Sequence, residues 1–356
     1  MSDSETARTT FLDLMTRATD GALIVAGVYL GTKLGLYAAL QSAPATSAQL
    51  AARTELDERL VREWLHQQAA SGVLIASSKP EGWSYALPAE HHALLLDPDD
   101  PDRVTGSVLS TAAELRQLPR LLESFRTGRG IPYEDYGPDE STGQAMSSRG
   151  LYRARVPQWL DALPVAPRLR EDGGSILDVG CGHGWSTITM AEALPSVMVD
   201  GIDLDRDSIA AAEVNRVSSQ AADRVSFQVR DAAELAGAGY DLVTMFEMLH
   251  DLSRPVAALR AARATLKEHG VVLVADEPTA EEFLGRPDAM EARQFGWSVL
   301  ACLPMSLVEP GSAATGAVMR PSTLRRYADE AGFSSVAVLD PAEPDTESLR
   351  LYLLRP

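Results

Sequence analysis

From about residue 174 the chain alternates short apolar runs with helical patterns, and the first run stops in a glycine loop that limits what can follow. Ile176, Leu177, Asp178 and Val179 lead into Gly180, Cys181, Gly182, His183 and Gly184, after which Trp185, Ser186 and Thr187 open a helical pattern. A strand that ends in such a loop and feeds a helix begins a strand–helix–strand unit whose bare backbone lets a ligand approach closely. Amide groups at the helix start favour a carboxylate or phosphate. A dinucleotide loop requires G-x-G-x-x-G, whereas this one reads Asp-x-Gly-x-Gly-x-Gly, with Asp178 ahead of Gly180 and Gly182. An acid in that place repels a pyrophosphate and suits a cationic ligand such as a sulfonium or ammonium.

The alternation continues. Strands are expected at 175–179, 197–202, 225–229, 242–246, 271–275, 335–339 and 349–354, with helices at 184–194, 206–217, 254–266 and 321–331. Only a loop around 341–345 separates the last two strands, so they must pair antiparallel. The class is therefore α/β: a Rossmann-like, seven-stranded sheet with an antiparallel last strand. Residues 278–320 break the alternation beside the strand ends, where ligands of open α/β sheets bind, and this marks them as a lid insertion.

The N-terminal part reads differently. Thr46 and Ser47 cap a short helix, 56–70 forms a longer one, and 73–75 and 83–87 flank a Ser-Lys-Pro-Glu-Gly turn. Helices followed by a hairpin make a winged-helix pattern. The domains expected are a winged-helix and dimerisation domain at 1–95, a helical linker and lid region at 96–165, and a ligand-binding sheet domain at 166–356. A winged helix suggests DNA, but residues 1–100 hold seven Lys/Arg against thirteen Asp/Glu, and the would-be reading helix opens with Asp57 and Glu58. The net charge of −18 likewise disfavours nucleic acid and anionic membrane. The apolar run at 21–40 carries Lys33 near its centre, which makes a buried interface helix the better reading than a membrane span. Two cysteines, Cys181 and Cys302, imply no disulfide framework, and with no export signal the cytoplasm is expected. The six histidines show no paired spacing, so no metal is expected.

Asp203 ends the second strand beside Leu204, where an acid can accept both hydroxyls of a ribose. Asp231 and Ala232 follow the third strand, and Phe246 ends the fourth. Together with the glycine loop, this constellation resembles the class I methyltransferases that use S-adenosylmethionine (SAM) and release S-adenosylhomocysteine (SAH). The resemblance implies that Asp178, Gly180, Gly182, Asp203, Leu204, Asp231, Ala232 and Phe246 hold that cofactor, with Asp231 and the next backbone amide meeting the adenine.

Just past the fourth strand stands Glu247-Met248-Leu249-His250-Asp251. His250 is the candidate general base, because an imidazole near its ordinary pKa accepts a proton at neutral pH. Its partner is Glu247, Asp251 or Glu277. The His-Asp pair is similar to that of small-molecule O-methyltransferases, although Leu252 stands where that family usually shows Trp. Tyr133 and Tyr136, in a glycine-rich loop, either line a ligand cavity or pin the segment to the body, and Trp297 in the lid suits an aromatic acceptor. Over nearly its full length the chain resembles an actinobacterial and mycobacterial group that joins a winged helix to a SAM domain. The pieces carrying that resemblance lie at 130–137, 249–251, 302–307 and 314–321. That resemblance implies the fold and the cofactor but not the substrate. The expectation is a homodimer, joined through the N-terminal helices, that methylates a small molecule, with oxygen the favoured acceptor and carbon the nearest rival; a SAM-sensing regulator is the alternative of another class.

Overall fold

The computed structural model describes residues 3–80, 82–237, 239–339 and 349–356. They fall into two compact units, one of Met1–Ala112 with Thr142–Gly150 and one of Ala113–Ser141 with Leu151–Pro356.

The first unit opens with α1 (Asp3–Lys33) and α2 (Leu36–Gln41), separated where Gly35 turns left-handed at φ 68°. The apolar run at 21–40 is thus two helices, and no helix among the described residues is long and apolar enough to cross a membrane. Helix α3 (Ser47–Thr54) starts in a capping box, Thr46 accepting from the Gln49 amide and Gln49 from the Thr46 amide. Helix α4 (Glu58–Ala70) is capped by Asp57, whose carboxylate accepts from the Leu60 amide at 3.0 Å. Strands β1 (Ile75–Lys79) and β2 (Gly82–Ala86) form an antiparallel hairpin. The hairpin begins later than 73–75, because Val73 and Leu74 donate to the Gln68 carbonyl and close α4 instead of joining the strand. Helix α5 (Ala89–Leu96) follows, and Leu36, Tyr37, Leu50, Leu65 and Tyr85 fill the core.

Helices α6 (Thr105–Arg116), α7 (Leu118–Thr127), α8 (Pro138–Asp161) and α9 (Ala166–Glu171) come next. Helices α6 and α8, within the stretch expected as a linker and lid region at 96–165, each supply residues to both units.

In the second unit β3 (Gly174–Val179), α10 (Trp185–Ala193), β4 (Val197–Asp203), α11 (Arg206–Val217), β5 (Val225–Val229) and β6 (Tyr240–Phe246) build the first half of the sheet. Then come α12 (Pro255–Thr265), β7 (Leu266–Asp276), α13 (Ala289–Trp297), α14 (Leu303–Ser306), α15 (Pro321–Ala331), β8 (Ser335–Leu339) and β9 (Arg350–Arg355). The strand order is β5-β4-β3-β6-β7-β9-β8, with β9 antiparallel to both neighbours and the pairs from β5 to β7 parallel. This is the seven-stranded sheet expected, and the turn assigned to 341–345 lies outside the described residues. Alternate residues feed opposite faces: Ile176, Leu242 and Val271 enter one core, Leu177, Val243 and Val272 the other. The parallel strands therefore end together, and their C-terminal tips carry Asp178, Asp203, Glu247 and Asp276.

Candidate active site

The glycine loop is held from below by Asp178. Its Oδ2 accepts from Ser186 and Thr187 at 2.6 Å each, and its Oδ1 accepts from Thr244 at 2.7 Å. Burial pushes this carboxyl upward and the three hydroxyls oppose that push. The expectation that Asp178 faces a cationic ligand is thereby corrected: with 1% of its surface exposed, it clamps β3, β6 and the start of α10. Gly180 sits at φ 72°, and a Cβ there would lie 2.7 Å from Met248 Cγ. Gly182, at φ 49°, faces open space on its Cβ side. The amides of Gly180 and Cys181 both bond the Ile202 carbonyl, and that of Gly182 bonds Asp203 Oδ2 at 2.9 Å. These three N–H groups are used inside the protein, apart from the amides at the start of α10 where an anion seat was expected.

Asp203 ends β4 and also takes the Asp205 amide on Oδ1 at 2.9 Å, while burial raises its pKa. The Gly182, Asp205 and Leu204 amides all act on this carboxylate. Leu204 beside it is exposed. Asp231 caps a short 3₁₀ turn, accepting from the Ala233 amide at 2.8 Å, and pairs with Arg254 at 2.9 Å; Ala232 is buried in the core. Phe246 is likewise a core residue, its ring 5.7 Å from that of Tyr152 and 5.3 Å from that of Trp159.

At the tips of β6 and β7 the sequence named the histidine but not its principal partner. His250, in a 3₁₀ turn after β6, is 4% exposed, and its Nδ1 lies 2.7 Å from Oδ1 of Asp276, the last residue of β7. The Asp251 carboxylate lies 3.4 Å from Nε2, and the Cys302 thiol is within hydrogen-bond reach of both residues. Burial alone would lower the histidine's pKa, but the charges of Asp276 and Asp251 outweigh it and hold the imidazole well above its ordinary value.

Neither Glu247 nor Glu277 bonds the histidine. Glu247 accepts from the Tyr152 hydroxyl at 3.0 Å, and burial together with the Glu277 charge pushes it up to about 7. It is one of three non-glycine residues at positive φ among those described, at 51°. Glu277 is raised by burial and by Asp276, with Gln294 Nε2 3.5 Å away. Asp276, Tyr152 and Cys302 were missed. An acid closing an apolar strand, as Asp178 and Asp203 do, was the available signal for Asp276. Nothing local points to Tyr152 or Cys302.

The two loop tyrosines divide. Tyr136 is an anchor: it is 1% exposed, donates to the Leu300 carbonyl at 2.8 Å, and packs with Leu121, Ile131 and Ala301. Tyr133 is half-buried, and burial raises its hydroxyl, reinforced by the charges of Glu140, Asp203, Asp205 and Asp251. Trp297 ends α13, partly buried.

Residues 170–316 match the family model described as a methyltransferase domain, and residues 22–96 match the Rv2258c-like winged HTH domain. These two stretches are thus similar to a methyltransferase domain and to a winged domain of that type. The 27-O-demethylrifamycin SV methyltransferase of Amycolatopsis mediterranei is 32% identical over 136 residues, which are 37% of this chain and 50% of the relative. The chain therefore spans about half the length of the curated relatives it matches. Among solved structures, the mitomycin 7-O-methyltransferase MmcR has a TM-score of 0.74 at 20% identity, with 99% of each chain covered. Human N-acetylserotonin methyltransferase, solved with SAM, has a TM-score of 0.73 at 16% identity, with 97% of each chain covered. At these identities the structural likeness speaks to the fold alone.

Proposed function

We propose that the protein is a SAM-dependent methyltransferase acting on a small, apolar or aromatic acceptor, with oxygen the favoured target, and that it works as a cytoplasmic homodimer. The observation that carries the reading is the pairing, along one sheet edge, of a glycine loop braced to Asp203 with a histidine oriented by Asp276. The residues fit the cofactor: Gly182 leaves open space, the buried Asp203 carboxylate at the tip of β4 would hold a ribose, and Asp231 follows the tip of β5 with its carboxylate paired to Arg254. When bound, SAM supplies an electrophilic methyl group on a sulfonium.

The chain's own residues then have two tasks. Asp276 fixes the imidazole through Nδ1; because the neighbouring acids hold the ring protonated, Nε2 must first release its own proton and then take the acceptor's hydroxyl proton as the oxygen gains the methyl group. Tyr133 and the lid residue Trp297 screen the acceptor from water. Carbon methylation would use the same edge. The dimer reading rests on α1, whose Phe11, Leu12, Leu14, Met15, Leu23 and Leu30 are exposed.

DNA binding is disfavoured within α4 itself, where Arg59 pairs with Glu63 and Arg62 with Glu58. Titration calorimetry with SAH, followed by labelled SAM with a small-molecule extract of the host, tests the proposal. Binding of SAH with label appearing in a small molecule is expected. Absence of SAH binding, or tight sequence-specific gel shifts at physiological salt, would overturn it.

A further inference from the structure

We propose that His250, Asp251 and Cys302 form a binding site for one divalent cation of the zinc class. Their donor atoms all lie within 4.8 Å of one another, and no other such group of three occurs among the described residues. Around zinc, bond lengths of about 2.0–2.3 Å set donors roughly 3.3–3.8 Å apart, a spacing that lies inside that limit. The Nε2 to Asp251 Oδ1 distance, 3.4 Å, is already in that range.

Independent features point the same way. Asp276 grips Nδ1 at 2.7 Å, and a carboxylate behind a ligating histidine is the usual device for aiming the other ring nitrogen at a metal. Asp251 Oδ1 is buried yet receives no well-aligned hydrogen bond. Cys302 is the last residue of a π-helical turn, Ser298–Cys302, that interrupts the lid helices; such turns cost helical hydrogen bonding and concentrate at functional sites. Asp251 and Cys302 are only partly buried, which leaves a path for entry.

Charge decides which ion fits. On binding, the thiol and the imidazolium each lose a proton to solvent as the metal–sulfur and metal–nitrogen bonds form, so the charges of a 2+ ion, one thiolate, one carboxylate and a neutral imidazole cancel, with the Asp276 carboxylate behind the ring. Sulfur and nitrogen donors favour zinc or cobalt over magnesium or calcium. The consequence for the enzyme is exclusive. An ion on Nε2 occupies the lone pair that proton acceptance requires, so the loaded protein cannot use His250 as a base. No such site was expected from the sequence, because Cys302 comes from the lid insertion, far from the His-Asp pair.

The test is titration of the full chain with cobalt(II), followed by zinc(II). One equivalent of cobalt with a near-ultraviolet thiolate-to-metal band is expected, and one equivalent of zinc should abolish it. Cys302→Ser should lose the band and at least tenfold in zinc affinity, while Cys181→Ser keeps both. Asp276→Asn should keep the band and lose about tenfold in affinity. Absence of the band in the wild-type protein, or its persistence in Cys302→Ser, would overturn the proposal. SAH binding, measured separately, does not enter either outcome.

Discussion

The tips of β3 and β4 and the tips of β6 and β7 lie on one sheet edge but are built in different ways. At β3 and β4, a motif of neighbouring residues braces itself: Asp178 gathers Ser186 and Thr187 from the following helix, and Asp203 takes the Gly182 amide. At β6 and β7, each functional group comes from a separate stretch: Tyr152 from α8, His250 from the turn after β6, Asp276 from β7, and Cys302 from the lid. The first arrangement shapes backbone, and the second sets charge. Mutations at β3 and β4 should therefore act mainly on stability and cofactor binding, and those at β6 and β7 mainly on chemistry.

The largest expected effect is at Asp178. Asp178→Ala strands three buried hydroxyls and should cost on the order of 3–5 kcal/mol in urea denaturation, with SAH binding lost. A near-neutral result would mean that the loop is braced by something else. Gly180→Ala introduces a Cβ 2.7 Å from Met248 Cγ at a left-handed φ. It should cost about 2 kcal/mol and weaken SAH binding in calorimetry. Across the edge, His250→Gln should lower turnover at least tenfold while SAH affinity stays within about threefold, a difference worth roughly 1.4 kcal/mol. A loss below tenfold removes the base assignment.

The smallest effect sharpens the contrast through pH. Glu247, ordinarily near 4.5, is held up to about 7, so between those values the native state binds more protons than the unfolded chain. Its contribution falls as pH rises through that window and levels off above it. Glu247→Gln cannot ionise, so its stability relative to wild type should grow between pH 5 and pH 8. With solvent screening the gain is on the order of 1 kcal/mol. Parallel denaturation curves at the two pH values check it, and a constant difference would mean that Glu247 stays ionised throughout.

Legibility followed the same division. Strand alternation, the glycine loop and the position of Asp203 were readable because periodicity and turn chemistry are local. Asp178 was found but given the wrong task, since the hydroxyls it holds lie on the next helix and on β6. Glu277 was named where Asp276 acts: adjacent residues at a strand end point different ways, and only the pleat decides which one meets the histidine. Tyr136 and Phe246 turned out to be core, a matter of what packs against them.

By itself the sequence determined the sheet, its antiparallel β9 and the kind of loop at its edge, because these depend on hydrophobic period and on glycine's access to positive φ. Only the tertiary structure decided that Asp276 is the histidine's partner and that Cys302 stands beside it. Electrostatics and coordination act through distance in space, and the chain brings those residues together only when the sheet and lid are built.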